Sequence, residues 1–346
     1  GQKYPDSLVH PDKHGFQPRI GISLRPLFGS SLVIRAGYGV NYNTSVYNAI
    51  VNQMAQQSPL SKSLSVQNSL SNPLTLASGF NATPGITPNT YAIDPNFRIG
   101  YAQNWQISVQ QDLPAAMIVT ATYLGIKGTR AVQAFLPNTY PTGANNPCPL
   151  CPSGYVYQAS NGNSTRESGQ FQLRRRMHNG MTASVLYVYS KSFDDAVLGG
   201  RGQGGSLIAQ DWLNLSAERG PSNFDQRHQV TVQAQYSTGM GVRGGALLRG
   251  WKGAAFKGWT MVTQITAGSG LPETPVYVAA IQGTGQTGVR PDPTGAALYA
   301  APPGRFLNPA AYGAPAFGHW GTAGRNSIVG PGQFLMNASA ARTFHE

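Results

Sequence analysis

The sequence predicts an all-β fold: about nine meandering antiparallel strands forming an incomplete part of a transmembrane β-barrel with long extracellular loops. Three observations predict it. Nine runs alternate apolar and polar residues with period 2, as strands with a single apolar face must. The connections between those runs alternate strictly between short and long. No window reaches 18 consecutive apolar residues, so a membrane-spanning helix is excluded.

The first run, 16–25, puts Ile20, Ile22 and Leu24 on one side and Arg19, Gly21, Ser23 and Arg25 on the other. A short turn leads to 31–42, where Leu32, Ile34, Ala36, Tyr38, Val40 and Tyr42 oppose Val33, Arg35, Gly37, Gly39 and Asn41. A polar stretch, 43–102, reads as a long loop. Residues 103–112 set Trp105, Ile107 and Val109 against Asn104, Gln106, Ser108 and Gln110. After a Leu-Pro turn, Met117, Val119, Ala121 and Tyr123 share a face of 117–125.

A second long loop is expected over 126–168. Then comes the strongest local signal in the chain, Asn179-Gly180 between two alternating arms within Gln170–Lys191. Both residues tolerate the positive φ of a tight hairpin turn. Each arm is about ten residues long, the length a tilted strand needs to cross a bilayer. A Gly-rich loop, 192–226, precedes 227–237, where Val230, Val232, Ala234 and Tyr236 oppose Gln229, Thr231, Gln233 and Gln235. A Gly/Arg turn of medium length ends at Trp259. Residues 258–267 alternate again, a Pro/Gly-rich loop covers 268–332, and 333–344 forms the last strand.

One hairpin fits a soluble sandwich as well as a barrel. The strict alternation of connections separates the two, because an outer-membrane barrel puts tight turns on the periplasmic side and long loops outside. With that orientation Tyr42, Trp105, Tyr123, Phe171, Tyr187 and Tyr189 fall at the outer ends of their strands. Tyr236, Trp259 and Phe344 fall at the inner ends, giving two aromatic belts. The lumen is then lined by Gln106, Gln110, Arg174, Gln233 and Gln235. Nine strands are an odd number and would leave an open edge in lipid, so further strands are expected to complete the barrel. Gly1 opens without a methionine or signal peptide and Glu346 stops inside a strand, so the chain is expected to be a fragment.

The net charge of +12 comes as much from scarce acids (13) as from bases (25), and the bases are scattered. Arg174-Arg175-Arg176 alternates across a strand and forms no single patch, so nucleic acid is not an expected partner. The two cysteines, Cys148 and Cys151, lie in Asn-Pro-Cys-Pro-Leu-Cys-Pro. A redox pair or half a zinc site would need a βαβ context or a second Cys/His pair, and neither is present. A small loop disulfide in an oxidising compartment is the expectation.

Several phrases, in order from about residue 16 to the end, resemble one family. They are Asn104–Gln110, Tyr123–Thr129, Tyr189–Ala196, Arg219–His228, Ala267–Pro272 and Gly324–Gly332. They look like the barrel half of TonB-dependent outer-membrane receptors, nearest the Oar-like subgroup with its carboxypeptidase-regulatory-like N-terminal domain. The resemblance implies a 22-stranded barrel of the bacterial outer membrane, plugged by an N-terminal domain and energised by the TonB complex. Residues 1–346 would then be a partial barrel domain, lacking plug, TonB box and closing strands.

No enzyme site, cofactor or metal is expected. Asp194 and Asp195 point apart on an extended chain and read as a solvated rim or a loop tether. Asp225 and Arg227 read as a rim ion pair, and His228 has no nucleophile at fixed spacing. Gly202–Gly205 lacks the strand-to-helix setting of a phosphate loop. Three functions remain: an energised receptor-transporter, a passive porin, and a surface adhesin or assembly scaffold. The solute of a receptor would be a carbohydrate, peptide or chelate, met by loops 43–102, 126–168, 192–226 and 268–332. Tyr155, Tyr157, Arg201, Asp211 and Trp212 are the expected contacts, with Trp320 a further loop aromatic.

Overall fold

A computed structural model describes residues 5, 9–13, 15–56, 75–77, 90–195, 208–284 and 287–344. Nine strands form one meandering sheet: β1 (Arg19–Leu24), β2 (Val33–Tyr42), β3 (Tyr101–Leu113), β4 (Met117–Phe135), β5 (Tyr155–His178), β6 (Met181–Asp194), β7 (His228–Ser237), β8 (Trp259–Gly268) and β9 (Gln333–Arg342). Every neighbour in sequence is an antiparallel neighbour in space, and β1 and β9 are the two edges. The nine strands fall on the nine alternating runs. No helix among the described residues is long and apolar enough to cross a membrane.

The register carries the period-2 pattern from strand to strand. One row runs Leu24, Ile34, Val109, Ala121, Phe171, Tyr187, Val230, Ala267, Phe334, apolar across all nine strands. A neighbouring row runs Ser23, Arg35, Ser108, Thr122, Gln170, Val188, Gln229, Gly268, Gln333 on the opposite face. The apolar face is the exposed one: Phe171, Tyr187 and Phe334 are 48%, 37% and 70% exposed, whereas Val188 is 8% exposed. Water would penalise such a face, and lipid does not. Within this face the Trp105 ring lies across Gly125, where a Cβ would collide with it. The glycine of Tyr123-Leu124-Gly125 thus seats a belt tryptophan.

The turns explain the hairpins locally. Asn179 and Gly180 take φ of 51° and 76°, the two positive values that a twist-matched two-residue turn requires. At 114–116 the same sharp reversal is made by Ala115 and Ala116 at φ 60° and 58°.

Two of the expected loops are shorter than the sequence suggests. β4 runs on to Phe135 and β5 begins at Tyr155, so most of 126–168 is paired strand and the loop shrinks to 136–154. The reason is physical: above the bilayer a strand keeps its ladder without needing a lipid face, so the apolar alternation stops before the hydrogen bonding does. Tyr123, Phe171 and its cross-strand partner Tyr187 therefore lie within their strands and not at the outer strand ends. The polar stretch 43–102 likewise contains α1 (Val46–Ala55) and a short strand, Thr90–Ile93, pairing parallel to β5. Ile50 of α1 packs with Ile93 and Phe97, a small apolar core outside the bilayer span.

Candidate functional site

The described loops of the long-loop end fold back onto the inner, polar face of the sheet. Along β6 the inner residues Val188, Ser190, Ser192 and Asp194 are buried beneath them. Asp194 is ion-paired with Arg325, both nearly inaccessible. The Arg325 Nε donates to the Glu218 carbonyl oxygen at 2.7 Å, and Arg290 pairs with the Glu218 carboxylate at 3.0 Å. Gln210 completes the network: its backbone N–H donates to Glu218 Oε1, and its side chain accepts from Arg290 N and donates to the Gly321 carbonyl. Buried charges persist only when paired and hydrogen-bonded, and these are.

The neighbouring acids are also committed to structure. The Asp225 carboxylate accepts from Ser192 N–H at 2.7 Å and pairs with Arg227 at 3.3 Å. Asp195 accepts from Asn163 N–H, and its carbonyl accepts from Gln133. His228 Nδ1 lies 2.9 Å from the Tyr187 hydroxyl on the lipid-facing side.

The phrases that carried the family resemblance dock on one another. A Cβ on Gly220 would press on the Arg325 carbonyl, and one on Gly270 would collide with the Gly330 carbonyl. Pro272 pairs with Val329, Asn326 donates to the Pro221 carbonyl at 2.7 Å, and Gln226 donates to the Ser269 carbonyl at 2.8 Å. Arg219–His228, Ala267–Pro272 and Gly324–Gly332 are one joint, holding the loop over 269–332 to the inner face.

This joint carries a cleft of about 460 Å³ at the loop tips. Tyr277, Val278, Phe317, His319 and Trp320 face Pro141 and Thr142 across it, and among the described residues no Asp, Glu, Lys or Arg lines it. Its two walls are tied: Tyr140 and Gln282 exchange backbone hydrogen bonds, and Thr142 Oγ1 donates to the Ala280 carbonyl at 3.1 Å. Phe317 lies over Gly143, which at φ 92° has no Cβ to block it. Asp292 holds the other arm, accepting from Thr322 Oγ1 and N–H at 2.8 Å each and from Ala316 N–H at 3.0 Å. The Thr322 hydroxyl first, then its N–H, lowers the Asp292 carboxyl below the usual carboxylate range.

None of the described residues among the expected contacts Tyr155, Tyr157, Asp211 and Trp212 lines this cleft. Tyr157 packs its ring 5.2 Å from Phe135 on the outer extensions of β4 and β5, and Tyr155 opens the same strand. Trp212 donates its Nε1–H to the Thr139 carbonyl at 3.1 Å, which fixes the segment supplying Pro141 and Thr142. Asp211 accepts from Leu213 N–H at 2.9 Å in a local turn. Arg201 lies outside the described residues, as do Gly202–Gly205. Cys148 and Cys151 are joined by a disulfide, Cα atoms 5.3 Å apart, and the buried Asn138 side chain donates to both of their carbonyls. Tyr277, Phe317 and His319 were not singled out from the sequence. The density of rings in Phe317-Gly318-His319-Trp320, within an otherwise Gly/Pro/Ala-rich loop, was the available signal.

Toward the short-turn end the inner face stays open. A groove of about 570 Å³ there is lined by Arg174, Arg176, Thr182, Ser184, Gln233 and Gln264. Arg176 approaches Asp112 at 3.7 Å, with both side chains about half exposed.

A family model described as an outer membrane beta barrel domain matches residues 1–346. No curated protein matches the sequence. Among solved structures the chain is similar to the outer membrane transporter YddB from Escherichia coli, at 10% identity and a TM-score of 0.44. That likeness covers 71% of this chain, and the chain spans 27% of the transporter's length.

Proposed function

The chain belongs to the outer membrane beta barrel domain family, and we propose that it is the barrel part of a receptor taking up a large, neutral polar solute in a TonB-dependent manner. Its place is the outer membrane. The observation that carries the reading is the pairing of an uncharged aromatic cleft at the loop tips with a polar inner face leading away from it. Rings of Tyr277, Phe317 and Trp320 offer stacking surface, and Thr142, Gln282 and His319 offer hydrogen bonds. Such a set suits a carbohydrate or an uncharged peptide or chelate better than a strongly anionic ligand. Tyr155, Tyr157, Arg201, Asp211 and Trp212 would flank it, with Trp212 and Asp211 shaping the wall. The Oar-like resemblance supports energy coupling through a segment N-terminal to the barrel that engages TonB.

Uptake by cells carrying Tyr277→Ala, Phe317→Ala and Trp320→Ala together should fall at least tenfold while the barrel stays folded and inserted. Collapse of the proton-motive force should abolish uptake by the unmodified protein. Uptake that survives that collapse would identify a passive porin instead, and unchanged uptake by the triple variant would remove the cleft from the pathway.

A further inference from the structure

One connection on the short-turn side departs from its neighbours. The turns at 114–116, between β3 and β4, and at 179–180, between β5 and β6, are tight, but 238–258 contains a left-handed kink at Arg243 and a short helix, α2 (Gly250–Phe256). Between Thr238 and Gly258 there are four cations, Arg243, Arg249, Lys252 and Lys257, and no acid. None of the four has a carboxylate within ion-pair distance among the described residues. The same segment exposes Leu247 (52%), Trp251 (74%) and Phe256 (58%).

The segment is nonetheless fastened at fixed points. Asn179 and Gly180 donate their N–H groups to the Arg243 and Val242 carbonyls at 3.0 and 3.1 Å, so it lies beside the β5–β6 hairpin tip. Trp259 Nε1 donates to the Ala255 carbonyl at 3.1 Å, and the Arg342 guanidinium donates to the Ala254 carbonyl. Trp259 and Arg342 are cross-strand partners on the lipid-facing side of β8 and β9, in the alternation that includes Met261 and Ala340. Arg342 also lies over the Phe344 ring at 4.7 Å. These bonds place α2 on the outer, lipid-facing side of the sheet at its short-turn rim.

We propose that residues 238–258, with Arg342, form a headgroup site for anionic phospholipid of the periplasmic leaflet. Exposed Trp251 and Phe256 continue the apolar face of the strands and sink into the acyl boundary, which removes them from water. Arg243, Arg249, Lys252 and Lys257 then sit at the level of the phosphates, where each unpaired cation gains from a negative surface. The chemistry is that of a phosphodiester with net negative charge, such as phosphatidylglycerol or cardiolipin. At the long-loop end, by contrast, the lipid-facing Lys191 opposes Glu167 and lies over the Phe193 ring at 4.9 Å. The inference rests on the outer-membrane barrel reading for its orientation.

The test is native mass spectrometry of the protein extracted from its own membrane, compared with Arg243→Gln, Arg249→Gln, Lys252→Gln and Lys257→Gln combined. The unmodified protein should retain phosphatidylglycerol or cardiolipin in preference to phosphatidylethanolamine, and the variant should lose that preference by roughly tenfold or more. A barrel band that still shifts on heating shows that the variant is folded. Brominated phosphatidylglycerol in reconstituted vesicles should quench fluorescence in the unmodified protein more than in Trp251→Phe. Equal retention of neutral and anionic lipid, or an unchanged preference in the variant, would overturn the site while leaving the barrel intact. Failure of the unmodified protein to insert at all would overturn the barrel reading and the site together.

Discussion

The two faces of β6 invert the arrangement of a soluble protein. On one side Val185, Tyr187 and Tyr189 stand 36–47% exposed; on the other, Ser190, Ser192 and Asp194 are at most 4% exposed. Adjacent residues of one strand thus face opposite solvents, and each face is held differently. The apolar side needs no protein partner, because lipid supplies its surroundings. The polar side is covered by loop segments from far along the chain, and there the buried Asp194 and Glu218 pair with Arg325 and Arg290. The lesson is that the tightly specified interior of this protein is polar and lies at the long-loop rim.

Breaking the interior should have the largest effect. Asp194→Ala leaves Arg325 buried without its carboxylate and should cost about 3–5 kcal/mol of loop docking. Hydrogen exchange of the amides over 322–330 should speed up accordingly, while β6 and β7 keep their protection. Replacing both partners, Asp194→Leu with Arg325→Met, should cost less than the single change, since no orphaned charge remains. Exchange in Asp194→Ala that matches the unmodified protein would show that the ion pair does not hold the loop.

The lipid side is tested by neighbouring residues of the same strand. Val185→Arg puts a cation in the middle of the span and should destabilise the barrel in vesicles by about 2–4 kcal/mol. Ser184→Val, one residue away on the inner face, removes only a 3.5 Å contact with Gln172 and should stay within about 1 kcal/mol. Equal costs for the two substitutions in urea unfolding from vesicles would erase the distinction between the faces.

The smallest expected effect concerns the loop arm beyond both faces. The Asp292 carboxyl is lowered by Thr322 and Ala316, so its contribution is present above the unfolded carboxylate value of about 3.9 and lost as pH falls through the lower folded value. Proteolysis by pepsin within 314–322 should accelerate over that acidic window in the unmodified protein. Asp292→Asn should be cut faster already at the upper end of the window and show a flatter pH dependence.

Much of the cleft was illegible beforehand. Trp320 and Trp212 stood out as loop aromatics, yet Trp212 proves to brace Thr139, and the rings beside Trp320 were overlooked. Of the two readings of Asp194, a solvated rim is overturned by its burial and a loop tether fits its pair with Arg325, but that partner, 131 residues away, could not be named from spacing. Lengths misled for a similar reason: lipid-facing alternation marks only the part of β4 and β5 inside the bilayer, and their extensions to Phe135 and back to Tyr155 are held by pairing and by contacts with distant segments.

By itself the sequence determined the nine-strand meander, the face each side chain takes within the alternating runs, and where the Asn179-Gly180 turn falls. Those are local matters, set by period-2 alternation and by the φ that a turn residue tolerates. Only the tertiary structure decided that Arg325 reaches Asp194 and Arg290 reaches Glu218, and that α2 lies on the lipid-facing side. Each depends on segments distant in the chain meeting in space, and a buried polar group accepts any partner of the right charge and geometry that the fold delivers to it.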